Sequence, residues 1–175
     1  MASELDFEGV VALYYEPLYK FAFSLTRAGD EACDLTQQTF YVWASKGHQL
    51  RDKTKVKTWL FTTLHRQFLE SRRRQTRFPQ QALSEDEFEL PALATSVASG
   101  LDADLVLRAL GQVDEIYQAA VALFYLEDRA YKEISEILDI PLGTVKSRIA
   151  RGICQLQKLL ASDISAGKDT ESPTS

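Results

Sequence analysis

The chain has few cysteines and few histidines, and this shortage excludes several classes of site. Among its 175 residues, the only cysteines are Cys33 and Cys154, and the only histidines are His48 and His65. The cysteines lie far apart without CxxC spacing, so the sequence predicts neither a disulfide framework nor a zinc site. A glycine-rich phosphate loop and a paired-histidine motif are also missing. We therefore expect no catalytic activity, no metal and no cofactor.

Long apolar runs are missing as well. No stretch approaches the roughly 18 to 20 apolar residues that a membrane helix needs. The N-terminus does not show a basic start followed by an apolar signal segment. We therefore expect a soluble, cytoplasmic protein without membrane insertion. A hydrophobic content of 45% in 175 residues suffices for one ordinary domain or two small ones.

The net charge of -5 argues against a nucleic-acid-binding protein, but the distribution of the charges reverses that impression. Positions 46–77 hold ten lysines or arginines and only two acids. Positions 140–162 hold four basic residues and no acid. Contacts to phosphate depend on the local field and on counterion release, which the charge of the whole chain does not determine. The sequence thus predicts two separate basic surfaces.

Helical periodicity dominates the first half of the chain. Apolar residues at i, i+3, i+4 and i+7 predict a long amphipathic helix from Phe7 to Leu25. A second helix follows, with Asp30 as its expected N-cap, and a third runs from Val56 into the arginine cluster at 72–74. No segment alternates with period two for long enough to predict a strand. The fold class is therefore predicted to be all-α.

The helical pattern dissolves between residues 78 and 100. Prolines, an acidic run at 84–89 and a series of small residues indicate a flexible linker. Helical periodicity returns at 101–161, and the polar residues 162–175 are expected to form a disordered tail. The sequence thus predicts two small helical domains, 1–77 and 101–161, which the linker joins.

Residues 134–151 have the pattern of two helices about a sharp turn. Pro141 disfavours helical geometry in the residue before it, so the first helix must end there. The second helix buries a stripe that starts at Val145, and residues at the start of such a helix reach base edges in the major groove. Its first turns carry Lys146, Ser147, Arg148 and Arg151. The alternative is a solvated amphipathic helix with ordinary surface lysines and arginines.

Four short motifs occur in a fixed order along nearly the whole chain. They are YYEPLYKFA at 14–22, DLTQQTF at 34–40, TWLF at 58–61 and GTVKSR at 143–148. In this order and spacing they resemble bacterial RNA polymerase sigma factors of the extracytoplasmic-function type, group 4 of the sigma-70 family. The resemblance implies that residues 1–77 form sigma region 2 and 101–161 form region 4, the helix-turn-helix domain. It also implies that the protein binds core RNA polymerase and directs promoter-specific initiation of transcription.

The resemblance implies a polymerase-binding role for the second helix. That helix would dock on the coiled coil of the largest polymerase subunit, while the second domain would reach the flap. The residues implied are Asp34, Leu35, Gln37, Gln38 and Phe40. From the residue pattern alone, a solvated helix face is the favoured interpretation of the same positions.

The resemblance also implies two DNA-binding sets. A flipped base of the minus-10 element would be captured by the loop at 47–54, and phosphates would be held by the basic helix after it. This set is Arg51, Asp52, Lys53, Lys57, His65, Arg66, Arg72 and Arg73. The minus-35 set is Thr144, Lys146, Ser147, Arg148 and Arg151. A plain surface loop is the alternative for 47–54, and Trp59 is interpreted as a core residue.

The chain departs from the family pattern at two places. Cys33 stands where an acid is common, which removes a negative charge beside the polymerase-binding motif. Phosphorylation at Thr36 or Thr39 could restore negative charge, so the expected regulator is either an anti-sigma factor or a regulatory kinase. His65 and Arg66 replace a more common Arg-Asn pair, so the promoter preference of relatives cannot be transferred.

A different class of protein also fits part of the pattern. A helix-turn-helix transcriptional regulator that acts without core polymerase would need Lys146 and Arg151 but would have no use for the surface at 34–40. Dependence of DNA binding on core polymerase separates these two hypotheses.

Overall fold

The computed structural model describes residues 6–77 and 103–168, and within those ranges the chain forms helices and turns but no strand. The predicted all-α class is confirmed. The predicted linker at 78–100 lies outside the described residues. The helices are α1 (Phe7–Thr26), α2 (Gly29–Lys46), α3 (Val56–Arg77), α4 (Ala103–Gln112), α5 (Glu115–Tyr125), α6 (Tyr131–Leu138) and α7 (Leu142–Lys168), with short 3-10 turns at Gly47–Gln49 and Lys53–Lys55.

The first two helices are separated by a short turn. The carboxylate of Asp6 accepts the backbone N–H of Gly9 at 2.9 Å and caps α1, which ends where Arg27 turns left-handed with φ 59°. The prediction that Asp30 caps α2 is wrong, since α2 begins at Gly29 with Ala28 as its N-cap, two residues before the predicted cap. Asp30 instead lies in the first turn of α2, where its negative charge interacts favourably with the positive end of the helix dipole.

The turn between α6 and α7 has the predicted position. Asp139 adopts a left-handed conformation with φ 53° and ends α6. The hydroxyl of Ser135, in α6, donates a hydrogen bond to the carbonyl of Ile140 at 2.6 Å. This bond holds the turn against the C-terminal end of α6. Pro141 directly precedes Leu142, the first residue of α7, where its missing N–H costs no helical hydrogen bond.

Helix α7 is longer than predicted. The sequence predicts a disordered tail from residue 162, but α7 continues to Lys168. Once a packed helix exists, each added residue gains a hydrogen bond without a new nucleation cost, so polar residues can extend it. The hydroxyl groups of Ser162 and Ser165 add bonds to the carbonyls one turn earlier. Neither α7 nor any other helix of the described ranges is long and apolar enough to cross a membrane.

Helices α1, α2 and α3 pack around aromatic side chains. The rings of Phe21 and Phe61 lie 5.3 Å apart, and Trp43 meets Trp59 edge-on at 5.2 Å. Trp59 is only partly buried and packs against the core, in agreement with its interpretation as a core residue. These contacts fix α3 against α1 and α2 and thereby set the position of the basic side chains that α3 carries.

The two helical units also pack against each other, which the sequence did not predict. Helix α3 contacts α6, while α1 contacts α4 and α5. Leu123, Ile134 and Val145 of the second unit belong to the same buried cluster as Leu60 and Leu64 of the first. The second unit also has a smaller cluster of its own, formed by Val106, Ala109, Leu110, Val113, Val121 and Leu156. Each unit therefore covers the apolar edge of the other.

Close packing of α5 and α7 depends on Gly152. A methyl group on Gly152 would overlap Cγ2 of Val121 and lie 3.0 Å from Cβ of Tyr117. We expect Gly152→Ala to lower the free energy of unfolding by about 1 to 3 kcal/mol, because an overpacked helix contact must separate. Urea denaturation followed by circular dichroism measures the change.

Gly143 provides the matched control in the same helix. A methyl group there meets nothing within 4 Å. Gly143→Ala should leave stability unchanged or raise it by up to about 1 kcal/mol through helix propensity. Equal effects of the two substitutions would show that the α5–α7 contact is not tight.

Candidate functional site

The outer face of α2 presents an acid and two amides to solvent. Asp34, Gln37 and Gln38 are exposed, and their spacing places them on one side of the helix. Tyr41, one turn further, lies on the same side with 76% of its surface exposed. Tyr41 is not among the residues predicted from the sequence, although its i+7 spacing from Asp34 could have identified it. The face combines hydrogen-bonding groups with an aromatic side chain of the kind that anchors protein interfaces.

Two residues predicted for this face lie in the core instead. Leu35 and Phe40 are buried, and Phe40 stacks against Tyr15 with the ring centroids 6.2 Å apart. Helical geometry explains the error, because positions 35 and 40 lie on the side of α2 opposite to 34, 37 and 41. These two residues orient the exposed face and are not available to touch a partner.

Cys33 is a half-buried residue of α2 at the edge of this exposed face. Its sulfur lies 3.8 Å from the hydroxyl of Tyr15 and accepts a hydrogen bond from the Gln37 amide at 3.4 Å. The half-buried thiol therefore fills space that a carboxylate could occupy only with loss of hydration. The negative charge of this face consequently rests on Asp34 and on Glu31, which is exposed one turn earlier.

The proposed phosphorylation sites are inaccessible. Thr36 and Thr39 are fully buried, and their hydroxyls donate to backbone carbonyls of α2 at 2.7 and 2.8 Å. Thr39 also bonds to the side chain of Gln67 on α3. A kinase could not reach either hydroxyl in this fold, and a phosphate would have no room. The hypothesis that these threonines restore negative charge is therefore corrected.

The loop before α3 exposes two cations around a capped turn. Arg51 and Lys53 point to solvent, while the carboxylate of Asp52 accepts hydrogen bonds from the backbone and hydroxyl of Thr54 at 3.0 and 2.6 Å. These hydrogen bonds, from the side chain first and the backbone second, lower the pKa of Asp52. Asp52 thus shapes the loop that presents its two basic neighbours.

The basic residues of α3 divide between solvent and the second unit. Arg66 and Arg73 are exposed. Lys57 instead forms an ion pair with Glu127, with Nζ and Oε2 3.0 Å apart, and Arg72 lies 3.7 Å from Glu115. Both acids belong to the second unit, so these two cations are partly neutralised within the molecule.

The start of α7 presents the predicted recognition residues. Lys146, Ser147 and Arg151 are exposed, and no described neighbour forms an ion pair with either cation. Thr144 is half-buried, and its carbonyl accepts the hydroxyl of Ser147 at 3.2 Å. Three of the five predicted side chains therefore point freely outward from one end of a long helix.

Arg148 and His65 lie at the junction of the two units. Both residues line a cavity of about 530 Å³ between α3, α5 and α7, together with Glu115 and apolar side chains. Burial, and secondly the positive charge of Arg148, lower the pKa of His65 to about 4. His65 is therefore neutral near pH 7. One residue from each predicted DNA-binding set lies at this junction.

Two family models match the chain in the expected order. Sigma-70 region 2 covers residues 10–78 and Sigma-70, region 4 covers 103–156. Among curated proteins, the extracytoplasmic-function RNA polymerase sigma factor SigE of Mycolicibacterium smegmatis is 34% identical over 165 residues. The chain belongs to the extracytoplasmic-function sigma factors of the sigma-70 family. The SigE match covers 91% of this sigma factor and 63% of SigE.

Other relatives match over nearly their whole length. SigM of Bacillus subtilis is 27% identical, with 89% of this sigma factor and 95% of SigM covered. The solved structure of the sigma factor RpoE in complex with the anti-sigma factor NepR, from Bartonella quintana, has a TM-score of 0.72 at 29% identity. That match covers 91% of this chain and 99% of RpoE. Both helical units and their order are thus shared with a known sigma factor.

The shifted pKa of His65 predicts a loss of stability in acid. Because the folded pKa of about 4 lies below the unfolded value of 6.5, the unfolded chain binds more protons between these values. Stability is therefore fully present above pH 6.5, falls as the pH drops toward 4, and levels off below. At pH 5 we expect this residue to cost about 1 to 2 kcal/mol relative to pH 7.

Comparison of wild type with His65→Gln tests this expectation. The free energy of unfolding is measured with urea at pH 7 and pH 5, and carboxylates affect both proteins alike. The wild type should lose more stability than the variant on acidification. Parallel losses would show that His65 titrates as it does in water.

Proposed function

We propose that this sigma factor binds core RNA polymerase through the exposed face of α2 and selects promoters with the start of α7. The loop before α3 and the exposed cations of α3 then hold the opened minus-10 region. The observation that carries the proposal is the pairing of two unlike surfaces on one chain. An acid and amide face lies on α2, and a freely exposed basic helix start lies on α7.

The α2 face suits a basic partner helix. A carboxylate such as Asp34 forms charge-assisted hydrogen bonds with arginine or lysine, which are about twice as strong as neutral ones. Gln37 and Gln38 supply directional bonds on either side of it. We assign the coiled coil of the largest polymerase subunit to this face and the flap to the second unit.

The start of α7 suits a major groove. Arginine or lysine bonds in a bidentate manner to guanine O6 and N7, and serine accepts or donates to several base edges. We assign Lys146, Ser147 and Arg151 to bases of the minus-35 element. Thr144 and Arg148 contact the backbone beside it, once Arg148 is released from the first unit.

The downstream contacts are less specific. Arg51 and Lys53 flank the pocket for a flipped base, and Arg66 and Arg73 contact phosphates of the melted strand. Phosphate contacts position DNA without reading its sequence. Duplex opening therefore belongs to the first unit and sequence selection at the upstream element to the second.

A regulatory protein is the expected further partner. The structurally similar RpoE was solved in complex with an anti-sigma factor. We assign a protein inhibitor of that kind to this chain, in preference to a kinase acting on the buried Thr36 and Thr39. With core polymerase and the chromosome as its partners, the protein would act in the cytoplasm.

Dependence of DNA binding on core polymerase tests the proposal. Fluorescent duplexes from fragmented host DNA are incubated with the chain, with core polymerase, or with both, and bound fragments are recovered and sequenced. Enrichment of a two-element motif only when both proteins are present supports the sigma role. Equal enrichment by the chain alone would favour a regulator that acts without polymerase.

A further inference from the structure

The cavity of about 530 Å³ at the junction of the two units has the size of a ligand site. Small-molecule sites in proteins commonly have volumes of about 300 to 1,000 Å³ and mostly apolar walls. Phe68 and Leu69 of α3 line this cavity from the first unit, and Ile116, Ala119 and Leu138 line it from the second. Leu69 and Ile116 are also exposed, so the cavity opens to solvent beside them. A small molecule with an apolar body can therefore enter it.

Two nitrogen-bearing side chains supply hydrogen-bond donors to the same cavity. Arg148 is always charged, and no acidic side chain of the described residues lies within ion-pair distance of it. His65 is neutral near pH 7 and keeps one N–H donor. Glu115 also lines the cavity, but its carboxylate lies 3.7 Å from Nε of Arg72, which offsets part of its charge. The lining thus has two donor groups of different helices and no acidic partner for the guanidinium.

A carboxylate on an apolar chain matches this combination of groups. A guanidinium group binds a carboxylate through two parallel charge-assisted hydrogen bonds, and a neutral imidazole can donate one more. The apolar walls favour a chain or ring behind the carboxylate, because each buried methylene group leaves water. A bare inorganic anion would use the donors but would leave the walls uncovered. The lining therefore favours an amphipathic acid over a small ion.

We propose that this cavity binds a monocarboxylate of the medium-chain fatty acid class, with Arg148 holding the carboxylate and Phe68, Leu69 and Ile116 covering the chain. His65 donates a further hydrogen bond to the carboxylate from the first unit. Because the walls belong to both units, the ligand is held only while the two are packed together, and its binding stabilises that packing. The chain thereby responds directly to a small molecule, which goes beyond its proposed function in transcription.

Titration of the full-length chain with decanoate, followed by NMR of the histidine rings, tests the proposal. The chain has two histidines, of which His65 lines the cavity and His48 is exposed in the turn after α2. We expect a saturable shift of the His65 signals with a dissociation constant of about 0.1 to 1 mM, as is typical for a ligand of about twelve non-hydrogen atoms. The His48 signals should not move. Decylammonium, which has the same chain and the opposite charge, should shift neither histidine.

Two substitutions separate recognition of the carboxylate from the space for the chain. Arg148→Gln should weaken decanoate binding by about tenfold or more, because it removes the charge-assisted hydrogen bonds. Arg108→Gln, at an exposed arginine of α4, is its matched control. Ala119→Leu fills part of the cavity and should weaken binding as well, whereas Ala44→Leu, at an exposed position of α2, should not. Circular dichroism should show the same helix content for all four variants.

Three results would overturn the proposal. One is the absence of a His65 shift with several millimolar decanoate. Another is equal binding of decylammonium, which would show that the cavity takes any apolar chain. The third is unchanged decanoate affinity of Arg148→Gln or Ala119→Leu, which would place the ligand elsewhere on the molecule. None of these results depends on core polymerase, so the proposed function in transcription is tested separately.

Discussion

Replacement of Asp34 by arginine will weaken the binding of the sigma factor to core polymerase by about 100-fold or more. The carboxylate is exposed at the centre of the α2 face, between Glu31 and Gln38, and none of its described neighbours forms an ion pair with it. A lost hydrogen bond to a charged group costs about 1.5 to 3 kcal/mol. The introduced cation adds repulsion from a basic partner. Anisotropy of a labelled sigma factor titrated with core polymerase measures the loss.

Asp163→Arg serves as the control for this substitution. Asp163 is exposed near the end of α7, so the change has the same chemistry and the same change in net charge. We expect normal polymerase binding for it, and circular dichroism should show an unchanged helix content for both variants. Normal polymerase binding by Asp34→Arg would show that the face of α2 is only solvated.

Replacement of Arg151 by alanine will remove base discrimination at the upstream promoter element. A bidentate contact between arginine and guanine is worth about 1 to 3 kcal/mol, which corresponds to roughly 5-fold to 150-fold in preference. Arg151 is exposed in the third turn of α7, on the same end of the helix as Lys146 and Ser147. Binding of the holoenzyme to promoters with each base changed in turn measures the preference at every position.

A phosphate contact would behave differently from a base contact. Lys158→Ala, at an exposed position two turns further along α7, should leave the preference at every position unchanged. If Arg151 contacts only phosphate, its replacement would weaken all promoters alike and reduce the salt dependence of binding by about one counterion. Uniform weakening would therefore contradict its assignment to a base.

Local pattern predicted the helices well, because each helix is set by residues within a few turns. The apolar spacing from Phe7 to Leu25 and the Pro141 turn correspond to α1 and to the start of α7. Helix ends were less predictable. Asp30 is a good N-cap residue, yet the chain begins α2 at Gly29 because Thr26 already organises the turn by bonding to Ala28.

The structure shows which residues of the predicted α2 site are exposed, while their binding roles stay predictions. Asp34, Gln37 and Gln38 are exposed as expected, but the motif that contains them also includes Leu35 and Phe40, which are buried. Family motifs combine residues that contact partners with residues that hold the contacting ones. Burial of each position separates the two groups.

The contact between the two units could not be predicted from local pattern. Lys57 and Glu127 lie seventy positions apart, and neither position shows a pairing signal in a single sequence. The same holds for His65 and Arg148, which line one cavity only because the two units pack together, with α3 against α6. Contacts of this range depend on how two apolar surfaces fit, which periodicity does not specify.

The most direct test of the sigma role is transcription from a pool of random promoter sequences by core polymerase with and without this chain. Transcripts made only in its presence should start at a fixed distance from two enriched elements, and Arg151→Ala should lose the enrichment of the upstream element alone. Transcripts whose start sites and upstream sequences do not depend on the chain would contradict the account.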